Sequence, residues 1–301
     1  MRAAVLAGYG GVDQLELREV AEPKTGLGQI KVDVVGASIN PIDWKLRKGA
    51  KRPGMNLELP AILGRDAAGK VLEVGSGVRR FRAGDRGDGL VMGAYGKRVV
   101  ANEEAWAEVP MNLDLGDAAA IPLVALTGAQ LVDEGVRPHA GDLVLVTGAL
   151  GGVGRVAVFV AKSRGAKVWV GVRAAQRESA AALGVEGVVA LDDKVDCRRL
   201  PTLDGIADTV GGPTTQRLLE RVRPGGSVGT VVEEPSGARE RGVEVRHIWA
   251  HQDADRLASM VRAVAEGTLV IPIAGRLPLS EIREAQDLAE KGAGGKVLLR
   301  L

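Results

Sequence analysis

The stretch "DLVLVTGALGGVGRVAVFVAK", residues 142–162, decides how the rest of the chain is read. It opens as an apolar β run, passes Gly148, Gly151 and Gly154 at three-residue spacing, and continues with helical periodicity. A phosphate-binding turn uses glycine to make the turn, to let backbone approach the phosphate, and to pack helix close on strand. The helix N-terminus then presents free N–H groups and the positive end of its dipole to the anion. The spacing is G-x-x-G-x-x-G, not the strict G-x-G-x-x-G, and it also suits a purely structural turn. Its position between a strand and a helix favours a dinucleotide loop.

Outward from that loop, strands and helices alternate. "KVWVGV", "GVVAL", "GIADTV", "SVGTVV" and "VEVRHIWA" read as five further strands. "AQRESAAALG", stopped by Gly184, "PTTQRLLERV", opened by Pro213, and "DADRLASMVRAVAEG" read as helices. Such alternation predicts a parallel sheet covered on both faces. Upstream, "AAVLAG", "QIKVDVVGASI", "AAGKVLEVGSGV" and "GKRVVAN" are short β runs bounded by turn residues, so residues 1–115 predict a mostly antiparallel β domain. "DLGDAAAIPLVALTGAQLVDEG" predicts a helix ending near Gly135. After Gly267, "VIPIAGRLPL" and "KVLLRL" return to β character around the helix "SEIREAQDLAEKG". The expected organisation is a β domain over 1–115, an inserted doubly wound α/β domain over 116–267, and a return to the first domain over 268–301.

Composition narrows the function. The 301 residues carry 40 basic and 38 acidic side chains, a net charge of +2, which argues against a nucleic-acid-binding face. The longest apolar run is broken by glycines and Arg155, which argues against a membrane span, and the N-terminus lacks the apolar core of a signal peptide. The cytosol is the expected compartment. Cys197 is the single cysteine, so neither a disulfide nor a cysteine-rich zinc site is available; the arginines after it can lower its pKa. His247 and His251 are four apart but lack the glutamate of H-E-x-x-H, and His139 is distant in sequence. Ser76 in "EVGSGV" is no nucleophile elbow, and no Walker loop is present.

The second strand of the α/β domain ends in "VGVRAAQRES". A site for NAD places an acidic residue there; Arg173 and Arg177 stand there instead, suited to the 2′-phosphate of NADPH. The alternative is solvated surface charge, with Glu178 pairing either arginine.

With these residues in view, the chain resembles the zinc-free quinone oxidoreductase branch of the medium-chain dehydrogenase/reductase superfamily. The resemblance runs through "GASINPIDWKLRKG", "LGRDAAGKVLEVGSGVRRFRAGDR", "IPLVALTGAQLV", "GDLVLVTGALGGVG", "DTVGG", "RPGGSVGTV" and "GGKVLLRL", in that order. It implies a GroES-like β domain with an inserted Rossmann domain, and NADPH held by Gly148, Ala149, Leu150, Gly151, Gly152, Val153, Gly154, Arg173, Arg177, Val210 and Lys296. It also implies that Asn40 and Thr127 lie beside the nicotinamide ring, and that the protein is a homodimer joined through the edge strand of residues 243–250. The zinc-dependent branch has a cysteine where this chain has Asn40, a histidine where it has Arg65, and a four-cysteine lobe absent here. Two departures from the branch stand in the loop and its helix: Leu150 replaces a small residue and Phe159 replaces a frequent glutamine. Tyrosines are scarce, with Tyr9 and Tyr95 alone.

The chemistry this implies is hydride transfer to a quinone or an α,β-unsaturated carbonyl, with Asn40, Asp43 and Thr127 as catalytic candidates and no metal. A developing oxyanion needs hydrogen-bond donors, which Asn40 and Thr127 can offer. Asp43 also suits a turn cap after Pro41, and Thr127 a backbone-bonded helix threonine. Lys45 and Lys296 are possible anion contacts, and the basic run of residues 45–54 could rim a site for a coenzyme A ester. An alternative function is an NADPH-binding redox sensor with little turnover.

Overall fold

The computed structural model describes residues 1–50 and 57–301. The basic run that could rim a coenzyme A site therefore lies partly outside the described residues; within it, Lys45 is exposed on the helix Pro41–Arg47. The chain forms two units, Met1–Leu123 with Gln252–Leu301, and Val124–His251.

The second unit is built on a six-stranded sheet, parallel throughout. In spatial order its strands are Gly187–Ala190, Lys167–Val172, Leu143–Thr147, Leu203–Asp208, Val222–Thr230 and Glu244–His247. Counted along the chain this is 3-2-1-4-5-6, the Rossmann order, in which the winding reverses between the first and fourth strands. The central strand has Val144, Leu145 and Val146 wholly buried, as a strand covered on both faces must be. The helix Gly152–Ser163 follows it and buries Val156, Ala157, Val160 and Ala161.

The first unit contains a seven-stranded sheet and a three-stranded one. Its longest strand, Gln29–Ser38, alternates in its first half, with Ile30, Val32 and Val34 inward. The C-terminal strand Lys296–Arg300 pairs antiparallel with the end of that strand, Leu298 opposite Ser38, so residue 296 comes beside residues 39 and 40. Trp106 is fully buried, and a Cβ on Gly89 would stand 2.7 Å from its ring.

Several elements differ from the sequence-based expectation. The helix expected to run to Gly135 is interrupted: Leu115–Ala118 and Pro122–Gln130 are separate, since Pro122 cannot continue the hydrogen-bond ladder of the first. A wider turn, Leu131–Val136, extends the second helix, and Arg137, at φ 57°, ends it. By length and composition Leu115–Val136 could cross a membrane, yet most of it is buried within the protein. The helix Ala254–Ala265 packs on the strand Trp106–Glu108 and so belongs with the first unit, not with the inserted one. Its apolar face, Leu257, Met260 and Val261, has no periodicity that names its partner. Two short helices, Pro41–Arg47 and Lys194–Arg198, carry too few residues to show a period.

Candidate active site

In the second unit, each glycine of the loop has a distinct reason. Gly148 has φ +63°, and a Cβ on it would stand 2.4 Å from Thr209 Oγ1. A Cβ on Gly154 would stand 2.3 Å from the Gly148 carbonyl, so only glycine lets the helix approach the strand this closely. Gly151 is different: it is exposed, its φ is −73°, and a Cβ would meet only the Gly148 oxygen, at 3.3 Å. The outer side of the turn is therefore clear. The first intrahelical bond runs from Arg155 N–H to the Gly151 carbonyl, which leaves the N–H groups of Gly152, Val153 and Gly154 ahead of it. An exposed turn ending in three such donors fits the diphosphate of a dinucleotide. Ala149 is buried, while Leu150 is half-buried and gives its carbonyl to Arg155 Nε at 3.2 Å.

Beneath the loop lies a residue that the sequence did not single out. Asp208, fully buried, accepts from Thr147 Oγ1 at 2.7 Å, Thr215 Oγ1 at 2.8 Å, and Thr230 Oγ1, Val210 N–H and Gly211 N–H at 3.2 Å each. Thr209 is tied to Thr147 by two more bonds. This clamp fixes the turn after the fourth strand and sets Val210, largely exposed, beside Gly148. The signal was an aspartate ending an apolar strand, followed by Thr-Val-Gly-Gly.

Arg173 is exposed just past the second strand. Arg177 is less available: its guanidinium pairs with Asp196 and reaches the Val188 carbonyl. The pairing with Glu178 that the sequence suggested is not formed; Asp196, brought close by the helix Lys194–Arg198, takes its place. Cys197 on that helix is buried, and burial raises its pKa, with the charge of Arg217 opposing. The lowering expected from the following arginines is overridden by desolvation. The histidines engage separate neighbours: His247 stacks on Trp249, His251 meets Glu134 and His139 meets Asp142.

In the first unit, Asn40, Asp43 and Lys296 are brought together, with three residues that sequence reasoning missed: Ser38, Asp66 and Tyr95. Asp66 Oδ2 accepts from Ser38 Oγ at 2.5 Å, Asn40 Nδ2 at 2.8 Å and Lys296 Nζ at 3.2 Å, and its Oδ1 accepts from Leu123 N–H at 2.7 Å. Lys296 Nζ also donates to Asn40 Oδ1 at 2.6 Å and to the Ile39 carbonyl at 3.4 Å. Asn40 is 1% exposed and Lys296 8%. Asp43 does what the turn-cap alternative proposed, accepting Asn40 N–H at 2.8 Å and capping the helix Pro41–Arg47. It does more as well: Tyr95 Oη donates to the same oxygen at 2.8 Å, and Asp43 Oδ1 is buried with no partner among the described residues. Burial pushes the Asp43 carboxyl up to about 6, against the lowering by Tyr95. Burial and the adjacent Asp43 push the Tyr95 phenol well up.

Arg65 carries its charge near both carboxylates: burial lowers its pKa while Asp43 and Asp66 oppose. Asp66 is an acid at the head of a β run, a signal available in "GRDAAG"; Tyr95 gave none. Thr127 sits on the helix Pro122–Gln130, 9% exposed, and its hydroxyl makes no hydrogen bond with a described residue. The backbone-bonded alternative for it is not what forms. Among the described residues no three His, Cys, Asp or Glu side chains cluster as a metal site.

Residues 26–110 match the alcohol dehydrogenase GroES-like domain and residues 183–299 the zinc-binding dehydrogenase family. A chloroplastic quinone-oxidoreductase homolog of Spinacia oleracea is 36% identical over 54% of this chain, which spans about half, 52%, of that relative's length. An NADPH-dependent alkenal/one oxidoreductase of Arabidopsis thaliana is 30% identical over 99% of this chain and 79% of its own. The solved quinone oxidoreductase of Coxiella burnetii superposes with a TM-score of 0.91 at 26% identity, covering 100% of this chain and 99% of that one. A relative matched over nearly the whole chain, family models on both units and a superposable solved fold place this protein in the medium-chain dehydrogenase/reductase superfamily of oxidoreductases.

Proposed function

We propose that the protein is an NADPH-dependent reductase that delivers hydride to a quinone or an α,β-unsaturated carbonyl without a metal. The observation that carries this reading is the cluster of Asn40, Asp66 and Lys296. The positions that hold cysteine and histidine in the zinc-dependent branch are an amide, Asn40, and a guanidinium, Arg65. Neither can replace a thiolate or an imidazole as a zinc ligand. The charge of Asp66 is instead met by an ammonium, 3.2 Å away.

The nicotinamide supplies the hydride. This chain supplies the charge: the positive field of Lys296 and Arg65 favours an electron pair moving onto the acceptor's oxygen. Thr127, in the second unit, carries a hydroxyl that makes no hydrogen bond with a described residue. Asn40 orients Lys296 and Asp66, since its amide is bonded to both. Arg173, exposed beyond the second strand, supports the choice of NADPH. Among the described residues the strand Glu244–His247 pairs on one side only, which supports a homodimer through that edge. A single, buried, unpaired cysteine supports a reducing compartment, the cytosol.

One observation favours the second reading, an NADPH-binding sensor. The three contacts of Lys296 and the strong donor of Asn40 are all spent within the cluster. The deciding experiment follows NADPH oxidation at 340 nm, about the absorbance maximum of the reduced nicotinamide. It uses 1,4-benzoquinone, 9,10-phenanthrenequinone and a small enone as acceptors, with NADH and a chelator in parallel. Acceptor-dependent oxidation that prefers NADPH and survives the chelator is expected. Turnover abolished by the chelator overturns the metal-free reading, and NADPH binding without turnover selects the sensor.

A further inference from the structure

We propose that Asp43 and Tyr95 form the proton store of this site: Asp43 keeps on its Oδ1 the proton that completes reduction of the acceptor, and Tyr95 sets how readily that proton leaves. The proposal rests on the reductase reading above and adds the half of the reaction that hydride transfer leaves open.

Hydrogen bonding decides which oxygen carries the proton. Asp43 Oδ2 accepts from Asn40 N–H and from Tyr95 Oη, at 2.8 Å each. Oδ1 is buried and takes no donor among the described residues. The carbonyl oxygen of a carboxylic acid still accepts two bonds, so a proton on Oδ1 arrives and leaves without breaking the helix cap or the tyrosine contact. Tyr95 is fixed at that contact by its backbone. Its N–H donates to the Leu63 carbonyl at 3.0 Å, and its own carbonyl accepts Ala4 N–H at 2.9 Å. A Cβ on Gly64 would stand 2.6 Å from its ring, so glycine is what makes room for it. Burial and Asp43 hold the phenol well up, which keeps it a donor near neutral pH.

The groups around Asp43 set how tightly the proton is held. Burial pushes the carboxyl up, Tyr95 and the Asn40 N–H pull it down, Asp66 pushes it up and Lys296 pulls it down, leaving it at about 6. The Arg65 charge is also near. On Asp43's own helix, Arg47 turns away to Gln286 and Glu290, and Lys45 is exposed. An acid poised near the working pH both gives its proton and regains it. The other buried acids are less suited. A proton on Asp66 competes with four donors, one of them an ammonium. Asp88 has both oxygens without a partner among the described residues, so no hydrogen bond links it to Asn40.

With an enone, hydride from the reduced nicotinamide forms the C–H bond at the β carbon. The C=C π bond breaks, and the electron pair moves onto the carbonyl oxygen. The α carbon of that enolate takes the Asp43 proton through an intervening water, since Asp43 is itself wholly buried, and the carbonyl re-forms. Asp43 is left as a carboxylate, which a proton from solvent reloads.

The test follows NADPH oxidation by trans-3-penten-2-one between about pH 5 and 8. In the wild type, kcat is expected to be level below about 6 and to fall as pH rises through it. Tyr95→Phe removes a donor to the carboxylate, so the fall is expected to move up by about 1 pH unit. Asp43→Asn has no proton to give and is expected to lose about 100-fold in kcat together with the pH dependence. A purely structural role lowers kcat without moving the profile. A fall that persists in Asp43→Asn, or that Tyr95→Phe leaves in place, overturns the proposal. If Asp43→Asn does not fold, Tyr95→Phe decides in the same way. If the wild type reduces no acceptor, the reductase reading fails, and infrared titration of the carboxylic acid band tests the pair alone. A band that fades through about pH 6 and moves up in Tyr95→Phe upholds the pair, and its absence refutes it.

Discussion

Two buried aspartates, one in each unit, are stabilised in opposite ways. Asp208 is held by neutral donors alone, three threonine hydroxyls and two backbone N–H groups: Thr147 and Thr230 at the ends of the two neighbouring strands, Thr215 on the following helix, and Val210 and Gly211 in the turn between. Asp66 is held by a hydroxyl, an amide, a backbone N–H and the ammonium of Lys296, which enters from the far end of the chain. The first arrangement fixes a backbone turn and leaves no mobile charge. The second concentrates opposite charges in one small volume, where removing either partner strands the other.

The sharpest way to break the comparison is to strand Asp66. Lys296→Met is expected to destabilise the protein by about 3–5 kcal/mol, because a buried carboxylate loses its counter-charge. Adding Asp66→Asn should recover much of that loss, a coupling that urea denaturation of the two single variants and the double variant measures. Asp208→Asn, by contrast, retains an acceptor for several of the same donors and is expected to cost less. Additivity between Lys296→Met and Asp66→Asn would show that the cluster is not energetically a pair.

The Asp43 carboxyl sharpens the contrast through pH. Its folded pKa, about 6, lies above the ordinary aspartate value of 3.8, so the folded state holds this proton more tightly than the unfolded one. The stabilisation is complete below pH 3.8 and is lost as pH rises through about 6, a decline of roughly 3 kcal/mol by linkage. Asp88 is fully buried, has both oxygens without a partner among the described residues, and is raised for the same reason, so it adds a decline of its own. The difference between wild type and Asp43→Asn isolates the first. It should slope between pH 4 and 6 and be flat above. A flat difference throughout would place the Asp43 pKa near its ordinary value.

The glycine loop tests the other unit. Gly154→Ala puts a Cβ 2.3 Å from a carbonyl oxygen and is expected to cost about 1–3 kcal/mol of stability together with nucleotide binding. Gly151→Ala meets one oxygen at 3.3 Å with an ordinary φ, so it should cost well under about 1 kcal/mol while still weakening NADPH. Thermal melts and fluorescence titration separate the two. Equal melting losses would show that Gly151 is kept for the fold and not for the ligand.

The two units also differ in how far the sequence disclosed them. The dinucleotide unit is made of local signals: each strand, turn and helix lies within a few residues of the next, and the loop glycines announce their role by spacing. Asn40 and Asp43 were visible because they share one helix cap. Asp66 and Lys296 converge because their strands both pair antiparallel with Gln29–Ser38, and Tyr95 arrives from a turn whose backbone bonds to Leu63 and Ala4, so no short window contains all three. Lys296 was recognised through the terminal "GGKVLLRL" and not through its neighbours. The break at Pro122 was written in the sequence but lost in an otherwise apolar run. The placement of the helix Ala254–Ala265 was not written at all, because amphipathicity tells which face is buried and not against what.

The smallest effect concerns the two arginines after the second strand, which look equivalent in sequence and are not in structure. Arg177 must break its pair with Asp196 to reach a ligand, whereas Arg173 is exposed and has no such partner among the described residues. A guanidinium freed from a carboxylate gives up charge-assisted bonds before it gains others, so its net contribution to a 2′-phosphate is the difference between the two. Arg173→Ala is therefore expected to weaken NADPH about 10-fold and NADH less than about 2-fold, at least about 1 kcal/mol of discrimination. Arg177→Ala should change the NADPH affinity by less than about 3-fold and lower the melting temperature slightly by freeing Asp196. Titration of both cofactors against both variants decides it. A larger loss from Arg177→Ala would mean that the ion pair opens when the nucleotide binds, and equal losses of NADPH and NADH in Arg173→Ala would remove the basis for NADPH preference.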